Sequence, residues 1–228
     1  MGQWIRCACT AGIIAVTSLT GALRAIGADL SEKLAPCLAC HGGEGQSQLD
    51  NVPSLGAQQA SYTLIQLFMF REKLRIAEPM NEMAKELADS DLQAMADALA
   101  ALPPPKPPAD AGDPERLERA RALTEQSHCN VCHRPDFSGQ QTVPRLADQR
   151  EDYLLKTLRE YKSGARHAYE PIMLELLQPL GDAQLVEIAY FLAHARRTEH
   201  RCQVSPVLGQ SWSGSTSSTV PAPRIPGR

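Results

Sequence analysis

Aromatic residues are scarce in this chain, at 5% of its 228 residues, and basic residues do not outnumber acidic ones. The length allows two small domains, yet two cores built from so few large side chains would be thin. Small domains of that kind usually need a disulfide, a metal ion or a bound cofactor to fold stably. The formal net charge of −3 and the lack of a basic stripe argue against a nucleic-acid partner.

Long hydrophobic runs are also missing, apart from one near the N-terminus. The segment Cys9–Leu23 is mostly apolar, Arg6 precedes it, and the small residues Gly27 and Ala28 follow it. Such a run is too short for a comfortable bilayer span, so residues 1–28 are predicted to be a signal peptide that is removed on export. An uncleaved membrane anchor is the alternative. Otherwise we expect a periplasmic protein with no stable membrane insertion.

The cysteine pattern does not match a disulfide framework, although exported proteins usually pair their cysteines. Five cysteines would remain after cleavage, and four of them form two Cys-x-x-Cys pairs that are each followed by histidine. The first motif is Cys37, Cys40 and His41, and the second is Cys129, Cys132 and His133. Cys202 is left over, either as a free thiol or as half of an intermolecular bridge.

The two motifs belong to an internal repeat. Val52-Pro53-Ser54-Leu55 aligns with Val143-Pro144-Arg145-Leu146. Further matched pairs follow in the same order: Gln58 with Gln149, Tyr62 with Tyr153, Arg75 with Arg166, and Met80 with Met173. A repeat this long predicts one supersecondary unit that is used twice.

A proline cluster between the two halves marks their boundary. Residues 102–108 have the sequence Leu-Pro-Pro-Pro-Lys-Pro-Pro, which favours an extended, semi-rigid spacer. We therefore expect one domain at 29–102, a linker at 103–112 and a second domain at 113–202. Residues 203–228 are rich in Ser, Gly, Pro and Thr, which predicts a disordered tail.

Helical periodicity dominates both halves. Apolar residues recur at three- and four-residue intervals across Gln59–Leu74, Asp91–Leu102, Glu151–Lys162 and Ala183–Ala195. Asp113-Pro114 is a typical helix start, and no alternating strand pattern is found. The sequence thus predicts an all-α fold in both halves.

Cys-x-x-Cys-His is the attachment signature of c-type haem. Two thiols one helical turn apart can reach the two vinyl groups of one porphyrin, and the next residue then directs its imidazole at the iron. A redox disulfide or half of a zinc site would use a similar pair, but zinc needs further ligands and a thioredoxin-like site needs alternating strands and helices. The prediction is two covalently bound haem c groups. The attachment residues are Cys37, Cys40, Cys129 and Cys132, with His41 and His133 on the irons.

Each iron needs a ligand on its other side. A methionine thioether gives a closed, low-spin centre with a raised potential, and Met80 and Met173 are the methionines that match under the repeat. Core packing is the alternative role for both, and Met83 is a close competitor of Met80. Met69 and Met95 lie on predicted helix faces and are expected in the core.

Four histidines remain, without a matched pair between the halves: His128, His167, His194 and His200. We expect them to be structural or surface residues, although His167 could in principle reach the second iron. Pro53 and Pro144 follow their motifs at nearly equal distance. Because an iron-bound histidine usually donates its other ring N–H to a backbone carbonyl, these two carbonyls are the candidates, with a rigid turn as the alternative.

The pattern resembles tandem class I cytochrome c domains and, most closely, the diheme cytochrome c4 family. The resemblance is carried by CLACHGGEG with CNVCH, by VPSLGAQQASY with VPRLADQREDY, and by EPMNEMAKELADSDL with EPIMLELLQPLGDAQL. It implies an all-helical fold, His/Met ligation at both irons and electron shuttling. One departure is Asp97, where the second half has Tyr190; another is Pro36, which predicts a short helix before Cys37.

Irons closed on both faces would leave no open site for a small substrate, which favours electron relay over catalysis. The expected partners are redox proteins: a dehydrogenase or a quinol-oxidising donor, and a terminal oxidase or reductase as acceptor. A cytochrome subunit of a periplasmic dehydrogenase, of a flavocytochrome or alcohol-oxidising type, is the alternative. A diheme enzyme is a third possibility that would need an open or unusually ligated iron.

Overall fold

A computed structural model describes residues 30–166 and 171–195. Helices joined by loops make up these ranges, with no strand beyond an isolated bridge between Gln140 and Val143. The first half contains α1 (30–41), α2 (Ala60–Arg71), α3 (Met80–Ala84) and α4 (Asp89–Ala101). The second half contains α5 (Pro114–Gln126), α6 (Cys129–His133), α7 (Glu151–Ser163), α8 (Ile172–Leu177) and α9 (Asp182–Ala193). The all-α prediction is confirmed.

Several sequence predictions fall outside the described residues. These are the signal peptide at 1–28, the tail at 203–228, Cys202, His167 and His200. Within the described ranges, no helix is long and apolar enough to cross a membrane.

Helix starts follow local chemistry. The carboxylate of Asp113 accepts the backbone N–H of Glu115 at 3.0 Å, and Pro114 occupies the first position of α5, where its missing N–H costs nothing. At α4 and α9, a side chain in the first turn reaches back instead. Asp91 accepts the N–H of Ala88 at 3.1 Å, and Gln184 accepts the N–H of Gly181 at 2.8 Å.

The helix that precedes Cys37 does not stop at Pro36. In the described residues, α1 runs from residue 30 through Pro36 to residue 41, so only the seven residues 30–36 precede Cys37. Proline removes a hydrogen bond at only one position, and Leu30 and Leu34, in the turns before it, pack against the first core. In the second half, by contrast, α5 ends before the motif and α6 is a separate short helix.

The same helix pairs form both halves, with unequal cores. α2 packs on α4 in the first half, as α7 packs on α9 in the second. In the described ranges, the contiguous core of the first half has three buried side chains, Leu67, Leu92 and Met95. The second core is much larger; Phe137 meets Phe191 there edge-on, with ring centroids 5.5 Å apart. The first half therefore has the thin core that favours a bound group.

Candidate haem sites and the interface between the halves

Both Cys-x-x-Cys-His motifs are helical: the first forms the C-terminal end of α1, and the second forms the short helix α6. In both halves the first cysteine is half-buried and the second is exposed, and no disulfide joins Cys37 to Cys40 or Cys129 to Cys132. The two cysteines of a pair are three positions apart, so their thiols lie on one face of a helical turn. The arrangement leaves two reduced sulfur atoms on the same side of each helix.

The two motif histidines have matching environments. His41 and His133 are each 5% exposed. The Nδ1 atom of His41 lies 2.7 Å from the carbonyl oxygen of Pro53, and that of His133 lies 2.8 Å from the carbonyl oxygen of Pro144. A carbonyl can only accept, so the neutral imidazole carries its proton on Nδ1 and keeps the lone pair of Nε2 for a metal.

Burial also determines the protonation states of the motif. It lowers the pKa of His41 and His133, and the hydrogen bonds to the proline carbonyls oppose this without cancelling it. Burial raises the pKa of the Cys37 thiol, and it raises the pKa of Cys129 to about 11. The motifs therefore present neutral imidazole, the form that ligates metals, beside the neutral thiols of Cys37 and Cys129.

The loop after each motif has the same hydrogen bonds but different residues. The carbonyl of Gly45 accepts from Leu55 and Gly56, and the carbonyl of Phe137 accepts in the same way from residues 146 and 147. Both residues have positive φ, 69° for Gly45 and 53° for Phe137. In the second half, a phenylalanine thus adopts the left-handed backbone conformation that a glycine adopts in the first half. Burial of the Phe137 side chain in the second core compensates for this conformation.

The candidate distal methionines lie at the start of matching short helices. Met80 is the first residue of α3 and packs against the first core, whereas Met83 is 41% exposed. Met173 is the second residue of α8 and packs against the second core. Met69 and Met95 are buried, as expected of core residues.

The remaining described histidines do not join the candidate sites. His194 is buried; its Nδ1 bonds the carbonyl of Tyr190 and its Nε2 lies 3.4 Å from Asp110. His128 sits between α5 and α6 with a φ of 59°. Both have structural positions, in line with the sequence expectation.

Two matched glutamines cross between the halves. The side chain of Gln149 accepts the N–H of Ser54 and donates to its carbonyl, both at 2.8 Å. The side chain of Gln58 does the same at Arg145, accepting at 2.7 Å and donating at 3.2 Å. The contact is reciprocal, since Ser54 and Arg145 are themselves matched under the repeat. Sequence alignment paired these glutamines but could not show that each bonds the opposite half.

A buried arginine lies at the same interface. Arg166 is 4% exposed and donates to the hydroxyls of Tyr62 at 3.0 Å and Tyr153 at 3.5 Å. Desolvation raises the pKa of Tyr62 to about 12. For Tyr153 desolvation also raises the pKa, but the charges of Arg166 and Arg75 and their hydrogen bonds outweigh it and lower the pKa to about 7.

The residues present fit a covalently held porphyrin. Each half offers two thiols on one helical turn and an imidazole with a free Nε2 lone pair. Each also has a thioether at the start of a short helix, packed against the core of that half. Within residues 30–166 and 171–195, the buried charge of Arg166 interacts with the tyrosine side chains of Tyr62, Tyr153 and Tyr161. Among the described residues, no three His, Cys, Asp or Glu side chains cluster as ligands of a metal ion.

Comparisons with known proteins agree with this arrangement. The family model for cytochrome c matches residues 117–196. The cytochrome c4 of Thiocapsa roseopersicina is 32% identical over 168 residues, which cover 68% of this chain and 85% of that relative. The solved cytochrome c4 of Acidithiobacillus ferrooxidans aligns with a TM-score of 0.63 and 25% identity, over 71% of this chain and 99% of that one.

Fold and matches together define a c-type cytochrome, a class that binds haem c covalently and carries electrons. Within that class, the chain belongs to the cytochrome c4 family, and the resemblance predicted from the sequence is confirmed. A further relative is a thiosulfate dehydrogenase electron acceptor from Stutzerimonas stutzeri. It is 28% identical over 174 residues, which cover 72% of this chain and 80% of that relative.

Proposed function

We propose that this chain is a periplasmic diheme cytochrome that passes electrons between redox proteins through two His/Met-ligated haems. The observation that carries the proposal is the duplicated geometry of the motif histidines, each 5% exposed and bonded through Nδ1 to a proline carbonyl. One such motif would have several uses, but two in equivalent positions of a repeat favour a pair of like cofactors.

In this proposal each motif side chain has a distinct role in binding the haem. Cys37, Cys40, Cys129 and Cys132 form the thioether links, and His41 and His133 bind the irons through Nε2. Met80 and Met173 would supply soft thioether ligands to the irons, which would raise the potential. Each bound haem supplies one-electron exchange between ferric and ferrous iron, and the chain supplies burial, orientation and a fixed histidine tautomer.

The proposed domain boundaries follow the same duplication. We assign 29–102 and 113–202 to the two haem domains and 103–112 to the linker. The observed helices support this division, because α4 ends at Ala101 and α5 begins at Pro114. Export by a signal peptide at 1–28 belongs to the same proposal, since the apolar run Cys9–Leu23 follows Arg6 and is too short for a comfortable bilayer span.

The test of the proposal is a reductive titration of the purified holoprotein followed by its visible spectrum. We expect two electrons to be taken up per chain, low-spin spectra in both oxidation states, and no reaction of the reduced protein with carbon monoxide. A resting high-spin signal, or carbon monoxide binding without loss of a methionine ligand, would favour a diheme enzyme instead.

A second function is supported by the relative that is named as a thiosulfate dehydrogenase electron acceptor. On this alternative, the chain is the cytochrome partner of a periplasmic dehydrogenase and takes electrons from it directly. Rapid reduction of the ferric protein by a thiosulfate dehydrogenase and thiosulfate, in stopped-flow mixing, would support the alternative. Reduction no faster than that of an unrelated cytochrome c of similar potential would count against it.

A further inference from the structure

One peptide group in the first half holds two hydrogen bonds at its opposite ends. The carbonyl of Pro53 and the N–H of Ser54 belong to this group, and resonance couples them electronically. His41 donates to the carbonyl oxygen at 2.7 Å, while the N–H donates to the side-chain oxygen of Gln149 at 2.8 Å. A glutamine of the second half is therefore one peptide group away from the histidine of the first.

The second half has the same relay in the opposite direction. His133 donates to the carbonyl of Pro144 at 2.8 Å. The N–H of Arg145, in the same peptide group, donates to the side-chain oxygen of Gln58 at 2.7 Å. Each histidine is thus connected to a side chain of the other half rather than of its own.

Burial makes this connection electronically effective. Ser54, Gln58, Arg145 and Gln149 are all between 5% and 7% exposed, so water competes little for the bonds. Hydrogen bonds in series polarise one another, and the effect is larger in a medium of low dielectric constant. Donation from the peptide N–H places more negative charge on its carbonyl oxygen, which strengthens the bond from the histidine. A histidine that donates more strongly is a more basic ligand and stabilises the ferric iron.

We propose that Gln58 and Gln149 are positioning residues that tune the haems crosswise, with Gln149 setting the reduction potential of the first-half haem and Gln58 that of the second. The inference rests on the proposed function, since it assumes that His41 and His133 bind iron. Loss of Gln149 weakens the Pro53 carbonyl as an acceptor, so His41 becomes a less basic ligand and the potential of the first haem rises. In the same way, loss of Gln58 weakens the Pro144 carbonyl as an acceptor of His133, and the potential of the second haem rises.

The same glutamines also hold the halves together, so a control must separate tuning from docking. Gln59 provides it, because its side-chain amide donates to the carbonyl of Ser138 at 2.9 Å and so also crosses between the halves. That carbonyl is not part of the peptide group that accepts His133. A Gln59→Met change removes a cross-half bond and leaves both relays intact.

The experiment compares Gln149→Met, Gln58→Met and Gln59→Met holoproteins with the wild type by potentiometric titration. Methionine keeps the unbranched shape of glutamine but offers no amide. The two potentials are assigned to their halves with Met80→Ala and Met173→Ala proteins. We expect Gln149→Met to shift the ferric-to-ferrous equilibrium of the first haem toward ferrous on the order of twofold, with a smaller shift at the second, and Gln58→Met to do the opposite. Gln59→Met should not shift the reduction potential of either haem in preference to the other.

Equal shifts of both haems, or a larger shift at the haem of the mutated half, would overturn the crosswise assignment. Gln149→Leu and Gln58→Leu repeat the comparison if the methionine variants yield no holoprotein. Failure of all four to fold would give the glutamines a structural role only, which also overturns it. A wild-type protein without covalent haem would instead refute the proposed function, so the two failures are distinguishable.

Discussion

Gly139 lies in the loop between the second motif and the proline carbonyl that binds His133. Its φ is 76°, and a Cβ at this position would lie 2.5 Å from the carbonyl carbon of Pro144. Real Cβ atoms do not approach backbone so closely, so any side chain here would displace the acceptor of the histidine. A single glycine therefore gives the loop room to place its proline carbonyl.

Substituting this glycine tests the packing of the loop. We expect Gly139→Ala to destabilise the holoprotein by roughly 2–4 kcal/mol, because both the left-handed backbone and the Pro144 contact oppose it. Denaturant unfolding measures the loss. Gly164 is the matched control: its φ is 74°, but nothing lies within 4 Å of its added Cβ, so Gly164→Ala should cost only about 1–2 kcal/mol. Equal losses for the two variants would contradict the account.

Distal ligation is the other prediction at the scale of single residues. Met80→Ala and Met173→Ala should each open one iron, which makes that haem high-spin and able to bind cyanide rapidly. Met83→Ala is the control, because Met83 is 41% exposed and does not pack against the first core. Optical and electron paramagnetic resonance spectra measure the change. Unchanged spectra for Met80→Ala together with a high-spin Met83→Ala would transfer the role to Met83.

At the scale of helices, α9 fixes the start of α5. The hydroxyl oxygen of Tyr190 accepts the N–H of Asp113 at 2.7 Å, and the guanidinium of Arg116 lies 3.7 Å from the centre of the Tyr190 ring. Asp97 takes the matching position in α4, where it is exposed and bonds Gln93. The difference between Asp97 and Tyr190 thus has a structural reason, since only Tyr190 holds the start of another helix, α5.

This junction leads to a stability prediction. Tyr190→Phe keeps the ring over Arg116 but leaves the N–H of Asp113 without its acceptor, which should cost about 1–2 kcal/mol of unfolding free energy. Arg119→Ala, on an exposed face of the same helix, should cost less than about 0.5 kcal/mol. Urea unfolding of the holoproteins compares the two. A Tyr190→Phe protein as stable as the wild type would show that the hydroxyl contributes nothing.

Sequence periodicity predicted the helices well because each has a clear apolar face or a clear start. The four periodic segments coincide with α2, α4, α7 and α9 to within a few residues. Local preference at Pro36 favours a helix end, but packing of Leu34 on the core keeps α1 continuous through it. Phe137 was equally unpredictable, since its positive φ follows from burial rather than from residue type.

For the molecule as a whole, duplication in the sequence becomes reciprocal contact in the fold. The repeat indicated that Gln58 and Gln149 are equivalent, but a sequence alignment compares positions and carries no information on docking. Their hydrogen bonds to the opposite half form only when the two loops come into contact. The same interface places Arg166 next to tyrosines of both halves. The motif chemistry could thus be predicted locally, and the coupling between the sites could not.

The central claim is that two porphyrins are covalently linked to this chain, one in each half. Intact mass spectrometry of the purified protein under denaturing conditions tests it most directly. We predict a mass that exceeds the mature polypeptide by two haem groups, and tryptic peptides around Cys37–His41 and Cys129–His133 that each carry one. A polypeptide of unmodified mass, or one that contains zinc at these motifs, would contradict the account.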